Sequence, residues 1–242
     1  MTDRVAIVTG GSGGIGRAVS ERLAADGISV LVTFSGGSQR ADDVVTAITD
    51  AGGRAVAARA DVAEPAEVNA LLDVAEAEFG GVDVVVNTAG IMRLSPLAQL
   101  SLDDLDAMYR VNVRGTFVVS QAAVQRLRSG GALINFSSSV VKLALPTYSA
   151  YVAGKAAVDG ITRILAQEVR GRDITVNAVA PGPTATPLFL DGKPTEVVEH
   201  LAAQAPLERL GEPKDIAEAV SFLAGPARWV NGQVVYVNGG IV

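Results

Sequence analysis

Short β-branched runs alternate with longer Ala-rich amphipathic stretches along the whole chain, and few folds accommodate that alternation. Residues 5–9, 29–34, 54–58, 82–87, 132–136, 175–180 and 234–237 read as strands. Between them, 15–25, 38–51, 65–79, 102–128, 149–170 and 214–223 are long enough for crossover helices. Strands joined by helices run parallel, and each crossover turns right-handed back onto the sheet. The expectation is therefore an α/β fold with one doubly wound, parallel, seven-stranded sheet and helices on both faces. No linker, internal repeat or low-complexity tract divides residues 1–242, so a single domain is expected. The irregular stretch is 181–213, punctuated by Pro-Gly-Pro, Thr-Pro, Asp-Gly and Lys-Pro around a short helical candidate at 196–204. Residues 183–212 are read as a mobile flap over a substrate.

Composition excludes several functions. With 49% hydrophobic and 19% charged residues the chain can bury a core, while aromatics at 5% and 26 Gly suit helices packed on a buried sheet better than a β-sandwich. A net charge of -6 argues against nucleic-acid binding, which needs cations to neutralise phosphates. There is no Cys and only His200, which removes disulfides, a thiolate nucleophile and a cysteine- or histidine-rich metal site, so no metal is expected. No apolar stretch reaches the length of a membrane span, and Met1-Thr-Asp-Arg enters the first strand without the regions of a leader, so a cytoplasmic protein is expected.

The first strand ends in Thr9-Gly-Gly-Ser-Gly-Gly-Ile-Gly16 before a helix, a context in which backbone amides and the helix N-terminus attract a pyrophosphate. Two parses stay open: GxGxxG through Gly11, Gly13 and Gly16, or TGxxxGxG through Thr9, Gly10, Gly14 and Gly16. The first should be followed at the end of the second strand by an acid, but Thr33-Phe34-Ser35 stands there. Farther on come Ala60-Asp61-Val62, Asn87-Thr-Ala-Gly90, Asn112, Ser138 in Asn135-Phe-Ser-Ser-Ser139, Tyr151-Val-Ala-Gly-Lys155, Pro181-Gly182 and Val237-Asn-Gly-Gly240.

In these motifs, their order and their strand, turn or helix context, the chain resembles the short-chain dehydrogenase/reductase family along nearly its whole length. Thr88 is a departure, since the family more often has Asn-Asn-Ala-Gly. The resemblance implies a Rossmann-type sheet and a nicotinamide cofactor held by Gly10, Ser12, Gly14, Ile15, Gly16, Thr33, Ser35, Asp61, Val62, Asn87, Ala89, Gly90, Pro181, Gly182, Thr184 and Thr186, with Tyr151 and Lys155. It also implies a catalytic tetrad. Tyr151 protonates the carbonyl oxygen as hydride arrives, Lys155 lowers the Tyr151 pKa and holds the nicotinamide ribose, Ser138 steadies the oxygen, and Asn112 bends its helix and holds a water that resupplies the proton.

The residues themselves support part of this. Tyr151 and Lys155 are four apart in a helical stretch and share a face, where an ammonium favours the charged form of a phenol. Ser138 follows the fifth strand, at the strand end where active sites of open parallel sheets lie. A Ser138–His200 hydrolase lacks an orienting acid and a nucleophile elbow, and His200 reads as a flap-surface residue. Arg126, Arg128, Arg170 and Arg172 read as solvated helix ends.

Thr33 lacks the charge that would repel a 2′-phosphate, and Ser35, Ser38, the 36–37 backbone and Arg40 can hold one, so NADP is expected ahead of NAD. Ile91, Met92, Val140, Leu143, Leu188 and Phe189, with Val141 and Tyr148, suggest an apolar pocket for a carbonyl or alcohol. The leading function is reduction of a ketone or 3-oxoacyl-type carbonyl. Alternatives are a nucleotide-binding regulator on the same fold and a polyol- or steroid-type alcohol dehydrogenase working oxidatively. Arg172 matches a carrier-protein-binding position of the β-ketoacyl-carrier-protein reductases, although a second such position falls on Ser129 beside Arg128, so an acyl carrier protein is a weakly supported partner. The apolar strand and tail at 229–242 suggest a covered edge, and with it the homotetramer that the family commonly forms.

Overall fold

The computed structural model describes residues 4–242; residues 1–3, on which the reading of the leader partly rests, lie outside them. The first half comprises β1 (Val5–Thr9), α1 (Gly14–Ala25), β2 (Ser29–Phe34), α2 (Ser38–Asp50), β3 (Ala55–Arg59), α3 (Pro65–Phe79) and β4 (Val84–Asn87). The second comprises α4 (Leu102–Met108), α5 (Gly115–Arg126), β5 (Ala132–Phe136), α6 (Ser149–Glu168), β6 (Thr175–Pro181), α7 (Pro187–Leu190), α8 (Thr195–Gln204), α9 (Pro213–Ala224) and β7 (Val234–Val237). All strand pairs are parallel, and the seven-stranded sheet has the order β3-β2-β1-β4-β5-β6-β7.

Strand composition follows sheet position. β1, β4, β5 and β6 are buried throughout, as is β2 up to Phe34, whereas β3 and β7 at the two edges are mostly half-buried. A strand covered on both sides gains from apolar residues at every position, hence the unbroken Val-Ala-Ile-Val run of β1. Its side chains still alternate between faces. Ala6 and Val8 pack with Val19 and Leu23 of α1 and Ile216 and Val220 of α9. Val5 and Ile7 pack with Leu71 of α3 and Val119 and Ala123 of α5 on the other side.

After β3 the chain crosses back to place β4 beside β1, with Thr9 in register with Asn87. The crossovers diverge there, which opens a crevice at the strand C-terminal ends. α1 begins at that crevice with no side-chain cap, leaving its first amides free for a ligand.

The structure revises several boundaries. β3 lies one residue later than expected, reaching Arg59, which pairs with Phe34 and donates to the Ser35 carbonyl. β4 begins at Val84 because the Asp83 carboxylate itself takes the Val5 N–H at 2.7 Å and pairs with Arg128. The single helix expected at 102–128 is instead α4, a π-helical turn at Tyr109–Arg114, and α5. The turn holds Asn112, whose carbonyl accepts from Thr116 Oγ1 at 2.7 Å. Gly115 then lets the chain close on Val62, since a Cβ there would come within 2.8 Å of Val62 Cγ2.

The arginines read as solvated helix ends are largely committed. Arg126 pairs with Asp73 and Glu76, Arg128 with Asp83, and Arg172 donates to the Val124 carbonyl. Among the described residues no helix is long and apolar enough to cross a membrane, and no group of three or more His, Asp or Glu could hold a metal ion.

Candidate active site

The phosphate loop decides between the two parses by geometry. Gly10 and Gly14 have φ of +63° and +50°, and a Cβ on Gly16 would lie 2.2 Å from the Gly10 carbonyl oxygen. Gly13 has an extended φ of -160° and nothing within 4 Å of a Cβ, so that position does not need glycine. The loop is TGxxxGxG. Thr88 turns its hydroxyl onto the Thr9 carbonyl, tying the end of β4 to the end of β1. Asn87 accepts from Thr9 Oγ1 at 2.8 Å and donates to Thr116 Oγ1 at 3.3 Å, so it clamps β1, β4 and α5 together.

Three motifs meet at Gly90, where a Cβ would be 3.2 Å from Asn112 Oδ1 and 3.6 Å from Lys155 Nζ. Asn112 holds the Ile91 backbone at both ends, accepting from its N–H at 2.9 Å and donating to its carbonyl at 2.8 Å. The π-helical turn faces this amide towards the loop after β4.

Of the three consecutive serines after β5, Ser137 and Ser139 are buried. Ser139 donates to the Ala180 carbonyl at 3.0 Å and accepts from Asn238. Ser138 is only half-buried and lines the cleft with Tyr151 and Lys155. Tyr151 packs edge-on against Tyr148 with ring centroids 6.4 Å apart. Burial pushes its phenol up to about 12, and the hydrogen bond with Ser138 pulls in the opposite direction.

This corrects the expectation that the Lys155 ammonium lowers the phenol. Lys155 Nζ sits over the Tyr151 ring, 5.8 Å from its centroid, and donates to the Phe136 carbonyl at 2.8 Å, so desolvation dominates. Burial brings Lys155 itself down to about 8, with the Asp159 carboxylate one turn on opposing the shift.

The cleft has a volume of about 420 Å³. Its walls include Gly10, Ser12, Gly14, Ile15, Gly16, Ala89, Gly90, Pro181, Gly182, Thr184 and Thr186 from the expected cofactor set. Thr33, Ser35, Asp61, Val62, Asn87 and Asn112 are not part of those walls: Thr33, Val62, Asn87 and Asn112 are buried, Asp61 is half-buried and Ser35 is exposed. Thr33 is buried and its carbonyl accepts from Gly11 N–H at 2.9 Å, which shapes the loop from below. Asp61 bonds Ala63 N–H and Arg110, and the backbone hydrogen bond with the Arg110 charge holds its carboxyl below the usual range against desolvation. The hydroxyls of Thr184 and Thr186 are engaged locally, Thr184 donating to the Gly182 carbonyl and Thr186 accepting from Phe189 N–H.

At the β2–α2 turn, Gly37 has φ +75° and a Cβ on it would come within 3.1 Å of the Arg40 guanidinium, so Arg40 lies folded over the turn and faces the cleft. His200 is exposed on α8 beside Gln204.

Comparisons with known proteins show the family and the fold. The family model described as "Enoyl-(Acyl carrier protein) reductase" matches residues 10–242. A short-chain type dehydrogenase/reductase of Picea abies is 46% identical over 250 residues, covering 99% of this chain and 92% of that one. The chain belongs to the short-chain dehydrogenase/reductase family. It is also similar to an Arabidopsis thaliana protein named NADPH-dependent aldehyde reductase-like, chloroplastic, at 42% identity over 100% of this chain and 95% of the other. A solved short-chain dehydrogenase from Burkholderia cenocepacia in complex with NADP superposes with a TM-score of 0.92, at 40% identity, covering 100% of this chain and 98% of that one.

As a member of this oxidoreductase family the chain should accommodate a nicotinamide dinucleotide, and its residues fit one. A Cβ at Gly16 would collide with the loop's own backbone, the first amides of α1 have no side-chain cap, and the cleft runs from that loop to Tyr151. Sequence reasoning missed Leu145, Leu201 and Ile241, which also wall the cleft. They are ordinary apolar residues in loops and a helix face, so no local signal marks them.

Proposed function

We propose that this short-chain dehydrogenase/reductase reduces a neutral, apolar ketone or aldehyde to the alcohol with NADPH, Tyr151 delivering the proton. When bound, the cofactor supplies the hydride to the carbonyl carbon. The observation that carries the reading is the meeting of Ser138, Tyr151 and Lys155 in the wall of the cleft that begins at the phosphate loop. Held up at about 12 by burial, Tyr151 keeps its proton at neutral pH, which is the form that can give it to a carbonyl oxygen gaining charge. The same phenol would take the proton back in the oxidative direction, so a polyol- or steroid-type dehydrogenase is set aside on the names of the relatives, an aldehyde reductase-like protein and hydroxynaphthalene reductase-like proteins among them.

Ser138 donates a second hydrogen bond to the same oxygen from a fixed position, stabilising charge as it develops. Lys155, anchored through Phe136, directs its remaining N–H bonds to the ribose of the nucleotide. Asn112 positions the 87–91 loop, and its carbonyl, which accepts from Thr116 Oγ1 on one side, has a second lone pair for the water that returns a proton to Lys155. Arg40 takes the 2′-phosphate, with Ser35, Ser38 and the turn amides completing that corner. The Arabidopsis relative's name and the Burkholderia complex with NADP support the choice of NADP over NAD.

An acyl-carrier-protein partner finds less support, because Arg172 and Arg128 already bond within the chain and Ser129 offers no cation. A nucleotide-binding regulator would not need Ser138, Tyr151 and Lys155 in the cleft wall with Asn112 holding the loop beside them. In this reading residues 1–242 act as one catalytic domain, with 183–212 as the substrate flap pinched at its neck by the Thr184–Gly211 bridge. The assembly is a cytoplasmic homotetramer that covers exposed side chains such as Trp229, Phe222 and Phe117.

Initial rates on aromatic and aliphatic aldehydes and ketones, with NADPH and NADH in parallel, test the reading. Carbonyl reduction with a kcat/KM at least about 10-fold higher for NADPH is expected from one charge-assisted phosphate contact. Absence of carbonyl reduction, or a preference for NADH, rejects it. Light scattering should give a mass near four chains.

A further inference from the structure

The cleft wall nearest the end of the sequence is built in an unusual way. After β7 the chain turns through Asn238, Gly239 and Gly240, and the two glycines have φ of +67° and +91°, a region that side chains other than glycine rarely enter. The turn is fastened on both sides. Asn238 Nδ2 donates to Ser139 Oγ at 3.1 Å, the residue next to Ser138, while Asn238 Oδ1 accepts from Gly240 N–H at 3.0 Å. A Cβ on Gly182 would come within 2.7 Å of Asn238 Cβ, so the turn also lies hard against the end of β6.

On the opposite side Leu207 N–H points to the Gly239 carbonyl at 3.4 Å, and Gly240 packs on Pro206, a Cβ there meeting Pro206 Cγ at 3.1 Å. The turn thus bridges the serine loop and the distal root of the 183–212 segment. The next residue, Ile241, enters the cleft wall together with Leu201 of α8.

We propose that Ile241 is a specificity-determining residue: fixed by this turn, it sets how large an apolar substituent the carbonyl compound can carry. The proposal rests on the function proposed above and extends it to substrate class. Only Arg40 and Lys155 bring charge to the walls of the cleft among the described residues. Arg40 lies at the β2–α2 turn and Lys155 beneath Gly90, and among the described residues no carboxylate or further cation lines the cleft, so a charged substituent away from those two places has no partner. Bulky neutral carbonyls, such as those carrying one or two fused rings, are the class that a wall of Ile241, Leu201, Leu188 and Met92 selects. Leu188 and Leu201 lie on the short helices α7 and α8 of the 183–212 segment, whereas Ile241 follows directly on the turn that Asn238 fastens to the serine loop, which is why the limit falls on this residue.

The experiment compares wild type, Ile241→Ala and Ile241→Trp in the full-length protein, with benzaldehyde and the two-ring ketone 1-tetralone as probes. It reads kcat/KM for each probe, the affinity of each probe for the NADPH complex from quenching of bound NADPH fluorescence, and NADPH affinity alone. Ile241→Trp should lower the 1-tetralone to benzaldehyde ratio by about 10-fold or more, the scale on which an apolar pocket discriminates by small volume steps. Ile241→Ala should shift the ratio the other way, and NADPH affinity should stay the same in both. A ratio that is unchanged in both variants while carbonyl reduction persists overturns the role of Ile241 and leaves the proposed function standing. Probe binding that changes as expected without turnover in wild type overturns the proposed function and leaves the wall assignment standing. Probes neither bound nor reduced by wild type overturn both.

Discussion

The two ends of the cleft are built on different principles. At the phosphate-loop end the shape is made of backbone: two left-handed glycines, a third where a Cβ would sit 2.2 Å from a carbonyl oxygen, and side chains of Thr9, Asn87 and Thr88 stitching β1 to β4. At the far end it is made of apolar side chains from the loop after β5, α7, α8 and the turn after β7, segments distant in sequence. A ligand shared by a whole family can be read by a fixed backbone. A ligand peculiar to one member has to be read by side chains that vary without disturbing the sheet. The polar groups of Ser138, Tyr151 and Lys155 lie where the two ends meet.

The largest expected effect tests that junction. Tyr151→Phe should lower reductive turnover by at least ~10²-fold, the usual loss when a general acid is removed, with NADPH affinity by fluorescence titration unchanged. Loss of nucleotide binding would instead make Tyr151 part of the backbone-built end.

A pair of glycine substitutions in one loop comes next. Gly16→Ala should cost about 1–3 kcal/mol of stability through overpacking and weaken NADPH binding with it, measured by urea unfolding and titration. Gly13→Ala, with open space around its Cβ, should stay within about 0.5 kcal/mol of wild type. Equal effects would mean that the close approach at Gly16 does not govern the loop.

Arg40→Ala should raise the KM for NADPH by about 10-fold, as expected for loss of a charge-assisted contact, and leave that for NADH unchanged. An equal rise for both would move Arg40 from phosphate recognition to general support of the turn.

The smallest effect is one of pH. Reductive kcat/KM should fall as pH rises through about 8, because Lys155 loses its charge there while Tyr151 keeps its proton to about 12. Stability should respond with the opposite sign. Between about 8 and the ordinary value of 10.5 the unfolded chain holds a proton on Lys155 that the folded chain has released, so this group's contribution to stability grows with pH across that window. A flat rate profile from pH 7 to 9 would show that the Lys155 charge is not used.

The fold was legible because its signals are local and repeated. Seven apolar runs separated by helix-length segments specify a parallel sheet almost wherever they occur, and β1, β2, β5 and β7 fall at the positions that the pattern indicates. Boundaries failed where a side chain replaced a backbone bond, as Asp83 does before β4. The helix at 102–128 was misread because its period continues through Asn112, while at the π-helical turn the Asn112 amide bonds Ile91, 21 residues away in sequence. The meeting of Ser138, Tyr151 and Lys155 in one cleft was legible by spacing and resemblance, yet the direction of the Tyr151 shift was not. One-turn spacing places an ammonium on the same helix face but does not say that its Nζ turns to Phe136, or that burial of the phenol outweighs it.

Alternation of apolar runs, the glycines at 10, 14 and 16, and the Ser138, Tyr151 and Lys155 series pointed to the sheet, the loop and the polar groups that line the cleft, because each is a constraint carried by neighbouring residues whatever surrounds them. The charge state of Tyr151 and Lys155, the work of Asn87 and Asn112, and the closure of the cleft by Leu201 and Ile241 were decided only by the packed chain. Desolvation and shape complementarity depend on which distant segments arrive at one place, and no stretch of residues encodes that arrival by itself.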